Sequence, residues 1–278
     1  MIKLIFTDLD GTFLNSQSRV SDDNLACLQE LKERDIEVIL CSGRTQGMIR
    51  PFCLDLPVRK EAVSCNGGLI VDFANDRLLS SAIIDFSTVE RFMNFGEERL
   101  LDFLAYREDG SVFYLPHSKR ILGFRAFNEE QKRRLRREIP LFDFPTNFNL
   151  AAQSKICKLL AVYYDKAQDR EICEFLNTFP DLHYAKSWDG LTDIMKKGAT
   201  KGTGVRFICS HLNVDIKDVA VIGDNHNDIS MFREVECSVC MNNGDEVAKK
   251  SATHVTQRDN DTGGWREAIN YILNFHNN

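Results

Sequence analysis

Short apolar runs that alternate with segments of helical spacing constrain the fold of this chain more than any other feature. The runs cover residues 1–6, 36–40, 61–65 and 219–222. Strands that are apolar along nearly their whole length are buried on both faces, as in parallel sheets covered by helices. The sequence therefore predicts an α/β fold built on a Rossmann-like parallel sheet.

A polar cluster follows each of these runs. The clusters are residues 8–12, 42–44, 66–68 and 223–228. Open parallel sheets bind their ligands beyond the carboxyl ends of the strands. We therefore expect the clusters to meet in a single site.

The middle of the chain has a different pattern. Residues 83–189 contain longer, heavily charged helical segments and strands that alternate apolar and polar residues, as in 111–115. Alternation is typical of a sheet with one open face. We predict a core formed by residues 1–82 and 190–278, with residues 83–189 inserted as an α/β (α+β) domain. Gly190 and residues 196–198 are the expected hinges.

Composition excludes several partners. The formal net charge of -6 gives no electrostatic support for a nucleic-acid partner. No apolar stretch reaches the roughly 20 residues of a membrane helix, and the first residues lack a secretory pattern. We therefore expect a cytoplasmic protein without a membrane partner, and leave open whether it is a monomer or a homodimer.

The nine cysteines show no disulfide framework, so we expect reduced, mostly buried thiols. Cys237 and Cys240 form a CxxC pair. A zinc site needs a second pair of ligands at suitable spacing, which the sequence lacks. We interpret the pair as buried, small apolar side chains.

Asp8 and Asp10 are two carboxylates at the end of the first predicted strand. Like charges this close raise each other's pKa or need a cation between them. Mg²⁺ prefers such oxygen ligands, and Asp224 and Asp228 after the last strand are expected to complete its ligand set. A cation would let Asp8 attack a phosphate and form an aspartyl-phosphate, while Asp10 moves the proton.

A bound phosphate also needs hydrogen-bond donors and positive charge. Ser42 and Gly43 offer a hydroxyl and backbone amides at a strand end. Lys201 begins a predicted helix, where its charge adds to the helix dipole. The Asn227 amide and the Thr12 hydroxyl complete the predicted phosphate-binding groups.

Four segments, taken in order, resemble the four motifs of the haloacid dehalogenase-like phosphatases. They are residues 8–12, 42–44, 201–202 and 223–228. The wide gap between the second and third motifs resembles the subclass IIB, Cof-type branch, in which an α/β cap fills that gap. The resemblance implies that residues 83–189 are the cap and that it sets substrate specificity. Trp265 departs from the family pattern, because a small aliphatic residue is common there.

The resemblance also implies a function and a role for each site residue. The function is Mg²⁺-dependent hydrolysis of phosphate monoesters of small metabolites, such as sugar phosphates or phosphorylated cofactors. Asp8 would be the nucleophile and a metal ligand, and Asp10 the general acid and base with its backbone carbonyl on the metal. Asp224 would complete the protein ligands, with Asp228 beside it or holding waters. The phosphate-binding residues would be Thr12, Ser42, Gly43, Lys201 and Asn227.

Two other functions stay open at this point. A phosphotransferase or phosphomutase would use the same aspartyl-phosphate, and a non-catalytic regulatory protein would bind a phosphorylated ligand on the same scaffold. The basic residues 132–137 suggest a polyanion site, but nearby glutamates favour a solvated helix. Polar and aromatic side chains of the inserted domain are specificity candidates without an assigned role: Tyr114, His117, Lys158, His183 and Trp188.

Overall fold

The computed structural model describes residues 1–188 and 190–275. The strands are β1 (Leu4–Thr7), β2 (Glu37–Leu40), β3 (Glu61–Ser64), β4 (Leu69–Asp72), β5 (Arg77–Ser81), β6 (Asp102–Arg107), β7 (Val112–Tyr114), β8 (Leu141–Asp143), β9 (Ile156–Val162), β10 (Leu182–Trp188), β11 (Leu191–Lys196), β12 (Val219–Gly223), β13 (Cys237–Cys240) and β14 (His254–Val255). The α-helices are α1 (Asp22–Glu33), α2 (Gln46–Asp55), α3 (Phe86–Glu98), α4 (Ile121–Arg133), α5 (Phe148–Ala152), α6 (Lys166–Leu176), α7 (Lys201–Leu212), α8 (Ile229–Phe232), α9 (Glu246–Ser251) and α10 (Gly264–Asn274).

The first sheet is parallel, with strand order β14-β13-β12-β1-β2. Strand β1, which lies between β12 and β2, is buried on both faces. Ile5 packs in one hydrophobic cluster with Leu28 of α1 and Trp265 of α10. Phe6 points the other way and packs in a second cluster with Val205 of α7. Side chains alternate along a strand, so helices on both sides are needed to bury such a run. The predicted α/β fold is confirmed.

The third predicted strand does not join this sheet as expected. β3 pairs antiparallel with β4, which pairs antiparallel with β5, and β3 meets the first sheet through a parallel bridge between Cys41 and Val63. The turn after β3 explains the difference. Cys65, Asn66 and Gly67 all have positive φ, and this tight reversal sends the chain straight back into β4. A parallel neighbour would have required a long crossover instead.

The second sheet has six strands in the order β10-β11-β9-β6-β7-β8. Its pairs are antiparallel except β7 with β8. One face packs a hydrophobic cluster against α3 and α6, with Phe92 stacked on Phe103 at a ring-centroid distance of 4.1 Å. The opposite face carries Tyr106, Leu160 and Val162, and it lines a cavity between the two sheets.

The predicted end of the inserted domain needs correction. The expected boundary falls at Asp189, which lies outside the described residues. β11 pairs with both β9 and β10, so residues 191–196 belong to the second sheet and not to the core. Gly190, with φ of 83°, lies in the hairpin between β10 and β11 and is therefore not a hinge. The chain returns to the first sheet between Lys196 and Lys201. We call the second sheet with α3 to α6 the cap, and the rest of the described chain the core.

Cysteines follow the sequence-based expectation. All nine are free, and eight are buried. Cys237 and Cys240 lie within β13, and burial raises the pKa of each thiol to about 12. Cys65 of the core and Cys157 of the cap place their Sγ atoms 3.8 Å apart. The segment 132–137 is only partly helical, because α4 ends at Arg133.

Candidate active site

A cavity of about 700 Å³ lies between the carboxyl edge of the first sheet and the open face of the cap. The core side presents acidic groups, one arginine and small polar residues, whereas the cap side presents aromatic and cationic side chains. The core residues include Asp8, Asp10, Ser42, Gly43, Arg44, Asp224 and Asn227, and the cap residues include Tyr106, Lys119, Arg120, Lys158 and Tyr164. The predicted convergence of strand-end clusters is therefore realised for residues on β1, β2 and β12.

Three buried carboxylates form the acidic centre. Ligand oxygens of Asp8, Asp224 and Asp228 lie within 4.8 Å of one another. They converge because β1 and β12 are parallel neighbours, with Asp8 N donating to Ile222 O at 2.9 Å. Burial raises the pKa of Asp8 to about 7, with Lys201 opposing the rise. Burial, with the charges of Asp228 and Asp8, also raises the pKa of Asp224 well above its usual range.

Lys201 lies inside this acidic centre and not on the cavity wall. Its Nζ donates to Asp8 Oδ1 at 2.5 Å and to Asp228 Oδ1 at 2.6 Å, and the side chain is fully buried. Burial alone would lower the pKa of Lys201, but the two carboxylates raise it above its usual value. The lysine starts α7, whose first turn is capped by Thr200. Lys201 therefore fixes the position of the Asp8 carboxylate. Contact between its ammonium group and a phosphate stays a prediction.

Asp228 shapes the turn after β12. Its Oδ2 accepts from the backbone N–H groups of Asp224 and Asn225, both at 2.9 Å, while its Oδ1 accepts from Lys201. Gly223 is required beside it, because a Cβ there would lie 2.4 Å from the Asp228 carboxyl carbon. With both oxygens engaged, Asp228 supports Asp224 from behind. This matches the alternative that it lies close behind the metal ligands, and direct ligation stays a prediction.

Asp10 faces the cavity and pairs with Arg44. The guanidinium donates through Nε to Oδ2 at 2.7 Å and through Nη2 to Oδ1 at 2.5 Å. Such bidentate pairs are strong and directional. Burial opposes the charge of Arg44, but the pairing with Asp10 holds its pKa above the usual value. Sequence reasoning assigned no role to this arginine, although it directly follows Ser42 and Gly43 in the second motif.

Thr12 differs from its predicted place. Its hydroxyl is fully buried and donates to Asp224 Oδ1 at 2.8 Å, so it orients that carboxylate and does not line the cavity. Ser42, Gly43 and Asn227 do line the cavity. The Ser42 hydroxyl accepts from Arg44 N at 3.2 Å, which keeps the loop after β2 folded toward the acidic centre. Phosphate contact by these residues remains a prediction that the geometry favours.

Sequence reasoning gave Lys158 no role and missed its buried ion pair, which lies in the cap where the cap meets the core. Lys158 of β9 pairs with Asp193 of β11 at 2.6 Å, and both side chains are almost fully buried. The signal was available for Lys158, which is the charged residue in an otherwise apolar strand, Ile156–Val162. Asp193 could not be found, because the predicted boundary assigned its segment to the core.

The comparisons with known proteins decide the family. A model of the haloacid dehalogenase-like hydrolases matches residues 5–269. The chain belongs to the haloacid dehalogenase-like hydrolases. A putative phosphatase of Mycoplasma genitalium is 28% identical over 277 residues, with 95% of each chain covered. The 5-amino-6-(5-phospho-D-ribitylamino)uracil phosphatase YwtE of Bacillus subtilis is 25% identical over 289 residues, with 98% of each chain covered.

Solved structures of haloacid dehalogenase-like hydrolases share the fold. A sugar phosphatase of subclass IIB superposes with a TM-score of 0.80 at 18% identity, covering 98% of this chain and 99% of its own. The resemblance read from the four motifs is confirmed, and so is the prediction of an enzyme of the haloacid dehalogenase-like phosphatase type. Within the described residues, no α-helix has both the length and the apolar character that a membrane span requires.

The chemistry of the acidic centre fits a divalent cation. In the described part of the chain, three buried carboxylates face the single ammonium group of Lys201. Burial of this uncompensated negative charge raises the pKa values of Asp8 and Asp224, and a bound cation would relieve it. Hard carboxylate and carbonyl oxygens are ligands that Mg²⁺ takes. The residues present therefore fit the Mg²⁺ that the resemblance implied.

Proposed function

We propose that this chain is a Mg²⁺-dependent phosphatase that hydrolyses phosphate monoesters of small metabolites through an aspartyl-phosphate on Asp8. The observation that carries the proposal is that two neighbouring carboxylates have different surroundings. Asp8 is buried and held by Lys201, whereas Asp10 faces the cavity and is held by Arg44. One group is placed to attack and the other to move protons.

The metal would be held by Asp8 and Asp224, with the backbone carbonyl of Asp10. When bound, it would screen the charge between the nucleophile and the phosphate oxygens. Lys201 fixes Asp8 through Oδ1, which leaves Oδ2 as the attacking oxygen. Thr12 and Asp228 hold Asp224 and its turn in place.

Asp10 moves the proton in both half-reactions. As Asp8 attacks phosphorus, the bond to the ester oxygen breaks and Asp10 protonates the departing alcohol. Asp10 then takes a proton from water, which attacks phosphorus and releases phosphate and the Asp8 carboxylate. In the structure both carboxylate oxygens of Asp10 accept from the Arg44 guanidinium. The acid step therefore requires Arg44 to release one carboxyl oxygen when substrate enters.

The cavity supports a small substrate. Its volume of about 700 Å³ is in the range of pockets for small molecules. The related enzyme of Bacillus subtilis acts on a phosphorylated ribitylaminouracil, and the subclass IIB structure is named a sugar phosphatase. We propose a phosphorylated sugar or cofactor precursor of that size. The reduced, buried thiols support a cytoplasmic location.

Hydrolysis of p-nitrophenyl phosphate with Mg²⁺ tests the function. Wild type is expected to turn over, and Asp8→Asn is expected to fall to the background rate because the nucleophile is lost. Asp35→Asn, at an exposed position with positive φ that asparagine tolerates, is the matched control and keeps full activity. Equal activity of wild type and Asp8→Asn would refute the proposal. A sugar acceptor in the assay separates hydrolysis from phosphotransfer, since hydrolysis releases phosphate in equal amount to nitrophenol.

A further inference from the structure

We propose that Asn66 is a positioning residue that fixes the orientation of the Asn227 amide in the phosphate site and couples it to docking of the cap on the core. The inference deepens the proposed function and rests on it for its activity readout. Its structural basis is a continuous series of buried and partly buried hydrogen bonds that starts on two cap strands and ends on residues lining the cavity.

The chemistry of the side chains decides which group donates and which accepts in this series of hydrogen bonds. Asn66 is buried, and its Nδ2 donates to Asp193 Oδ2 at 2.6 Å. Its Oδ1 accepts from Asn227 Nδ2 at 3.0 Å. An ionised carboxylate only accepts, so Asn66 must turn its NH₂ group toward Asp193 and its oxygen toward Asn227. The cap carboxylate thereby decides which way the Asn227 amide faces.

A second contact crosses the same junction. Lys158 Nζ donates to the backbone oxygen of Gly43 at 2.8 Å while it pairs with Asp193 Oδ1 at 2.6 Å. A Cβ on Gly43 would approach Asn66 Oδ1 to 3.0 Å and Asp193 Oδ2 to 3.2 Å, so glycine lets the loop fit against both groups. Gly43 and Asn227, both predicted to bind phosphate, are thus tied to the cap by one network.

The network ties cap docking to site geometry. Lys158, Asp193 and Asn66 are each at most 3% exposed, and buried polar groups that lose a partner are costly. If the cap moves away from the core, the Lys158–Gly43 and Asn66–Asp193 bonds must break together. Asn66 then loses the partner that fixes its own amide, and Asn227 loses its fixed orientation. The phosphate site is therefore complete only while the cap is docked.

Exchanging the donor and the acceptor between Asn66 and Asp193 tests the proposal. Asn66→Asp sets two carboxylates against each other, and removes the donor toward Asp193. Adding Asp193→Asn in the same chain restores one donor facing one acceptor, keeps an acceptor for Asn227 and conserves the total charge beside Lys158. The measurements are the dissociation constant of inorganic phosphate by calorimetry with Mg²⁺, and kcat and KM for p-nitrophenyl phosphate.

We expect Asn66→Asp to weaken phosphate binding about tenfold or more, the equivalent of one lost hydrogen bond to a charged group, and the double variant to recover to within about threefold of wild type. Asn128→Asp is the matched control, because Asn128 is a buried cap asparagine whose side chain bonds only to the backbone of Ile139 in the described structure. It is expected to lower stability without changing phosphate affinity. Asn66→Ala, which removes both bonds without adding charge, gives the same reading if Asn66→Asp does not fold.

Three results would overturn the inference. They are a folded Asn66 variant that binds phosphate like wild type, a double variant no better than Asn66→Asp, and an equal loss of phosphate affinity in Asn128→Asp. If wild type binds phosphate but hydrolyses no ester, the proposed function fails while the binding measurements still decide the role of Asn66. If wild type binds no phosphate, both fail.

Discussion

At the scale of single residues, the imbalance of charge around Asp8 has a consequence for stability. The pKa of Asp8 in the folded chain is about 7, above its ordinary value of 3.8, because of burial. At Asp8 the folded state therefore binds more protons than the unfolded state in that range, so the contribution of this carboxyl to stability falls as pH rises from about 4 to about 7. This sign is opposite to that of a surface carboxylate held by a salt bridge.

We expect the melting temperature of the metal-free protein to decrease between about pH 5 and pH 7.5, and Mg²⁺ to raise it more at the higher pH, where its ligands are deprotonated. Asp8→Asn should flatten the pH dependence. Differential scanning fluorimetry with chelator or Mg²⁺ measures both effects. A melting temperature of the metal-free wild type that rises over this range would contradict the assignment.

Lys201 is the cation of the acidic centre, so its removal should lower the stability of the fold as well as the activity. Lys201→Met leaves Asp8 and Asp228 buried without their cation, and breaking a buried ion pair in this way costs about 3–5 kcal/mol. Urea unfolding without metal measures the loss. Lys197→Met, at an exposed position four residues earlier, is expected to change stability by less than about 0.5 kcal/mol. Equal stability of the two variants would show that the pair contributes nothing.

At the scale of elements, Trp265 shows how α10 is fixed to the first sheet. Its Nε1 donates to Thr7 Oγ1 at 3.0 Å, and its ring meets Phe13 edge-on at 4.8 Å between centroids. Only 1% of the residue is exposed. The bulky residue that departs from the family pattern is therefore a core side chain placed directly beneath the strand end that carries Asp8.

Truncation of this side chain should destabilise the core strongly. Trp265→Ala is expected to lower the free energy of unfolding by about 3–5 kcal/mol, and Trp265→Phe by less, because it keeps the apolar ring and loses the hydrogen bond and some volume. Chemical denaturation followed by circular dichroism gives both values. A larger loss for Trp265→Phe than for Trp265→Ala would contradict this packing.

What the sequence predicted and what it missed follow from the same physics. The strand at 219–222 could be predicted because its apolar pattern lies within the segment itself. The antiparallel return of β4 after β3 was not predicted, since Asn66 and Gly67 signal a turn without showing in which direction the next strand runs. Asp8, Asp10 and Asp224 were found by motif, whereas the role of Asp193 depends on two distant partners, Lys158 and Asn66, the second of them 127 residues away.

At the scale of the whole molecule, core and cap are joined by two short linkers, residues 82–85 and 197–200. The second contains Gly198, which has φ of 90°, and a Cβ added there would have no atom of the described chain within 4 Å. Glycine at position 198 is therefore required by the positive φ of the backbone, and not by neighbouring atoms that would clash with a side chain. The predicted hinge at residues 196–198 remains a prediction, and this conformation supports it.

Substitution of this linker glycine should act through strain. Gly198→Ala is expected to destabilise by about 1–2 kcal/mol, because the left-handed region is unfavourable for alanine. Gly123→Ala, inside α4 and equally uncrowded, is expected to stabilise by about 0.5–1 kcal/mol through helix propensity. Thermal unfolding of the two variants should therefore shift in opposite directions, and shifts of the same sign would contradict the assignment.

The contact between Cys65 and Cys157 gives the molecule a natural crosslinking handle. One thiol belongs to the core and the other to the cap, and their 3.8 Å separation must close to about 2.05 Å in a disulfide. A diazene oxidant such as diamide would accept the two electrons and two protons released as the sulfur atoms join. The product would be a tethered enzyme, two hydrogens lighter and restored by dithiothreitol, in which substrate exchange by cap opening is blocked. A reversible crosslink at this pair would thus hold the cap on the core chemically in the natural sequence, without engineering a residue.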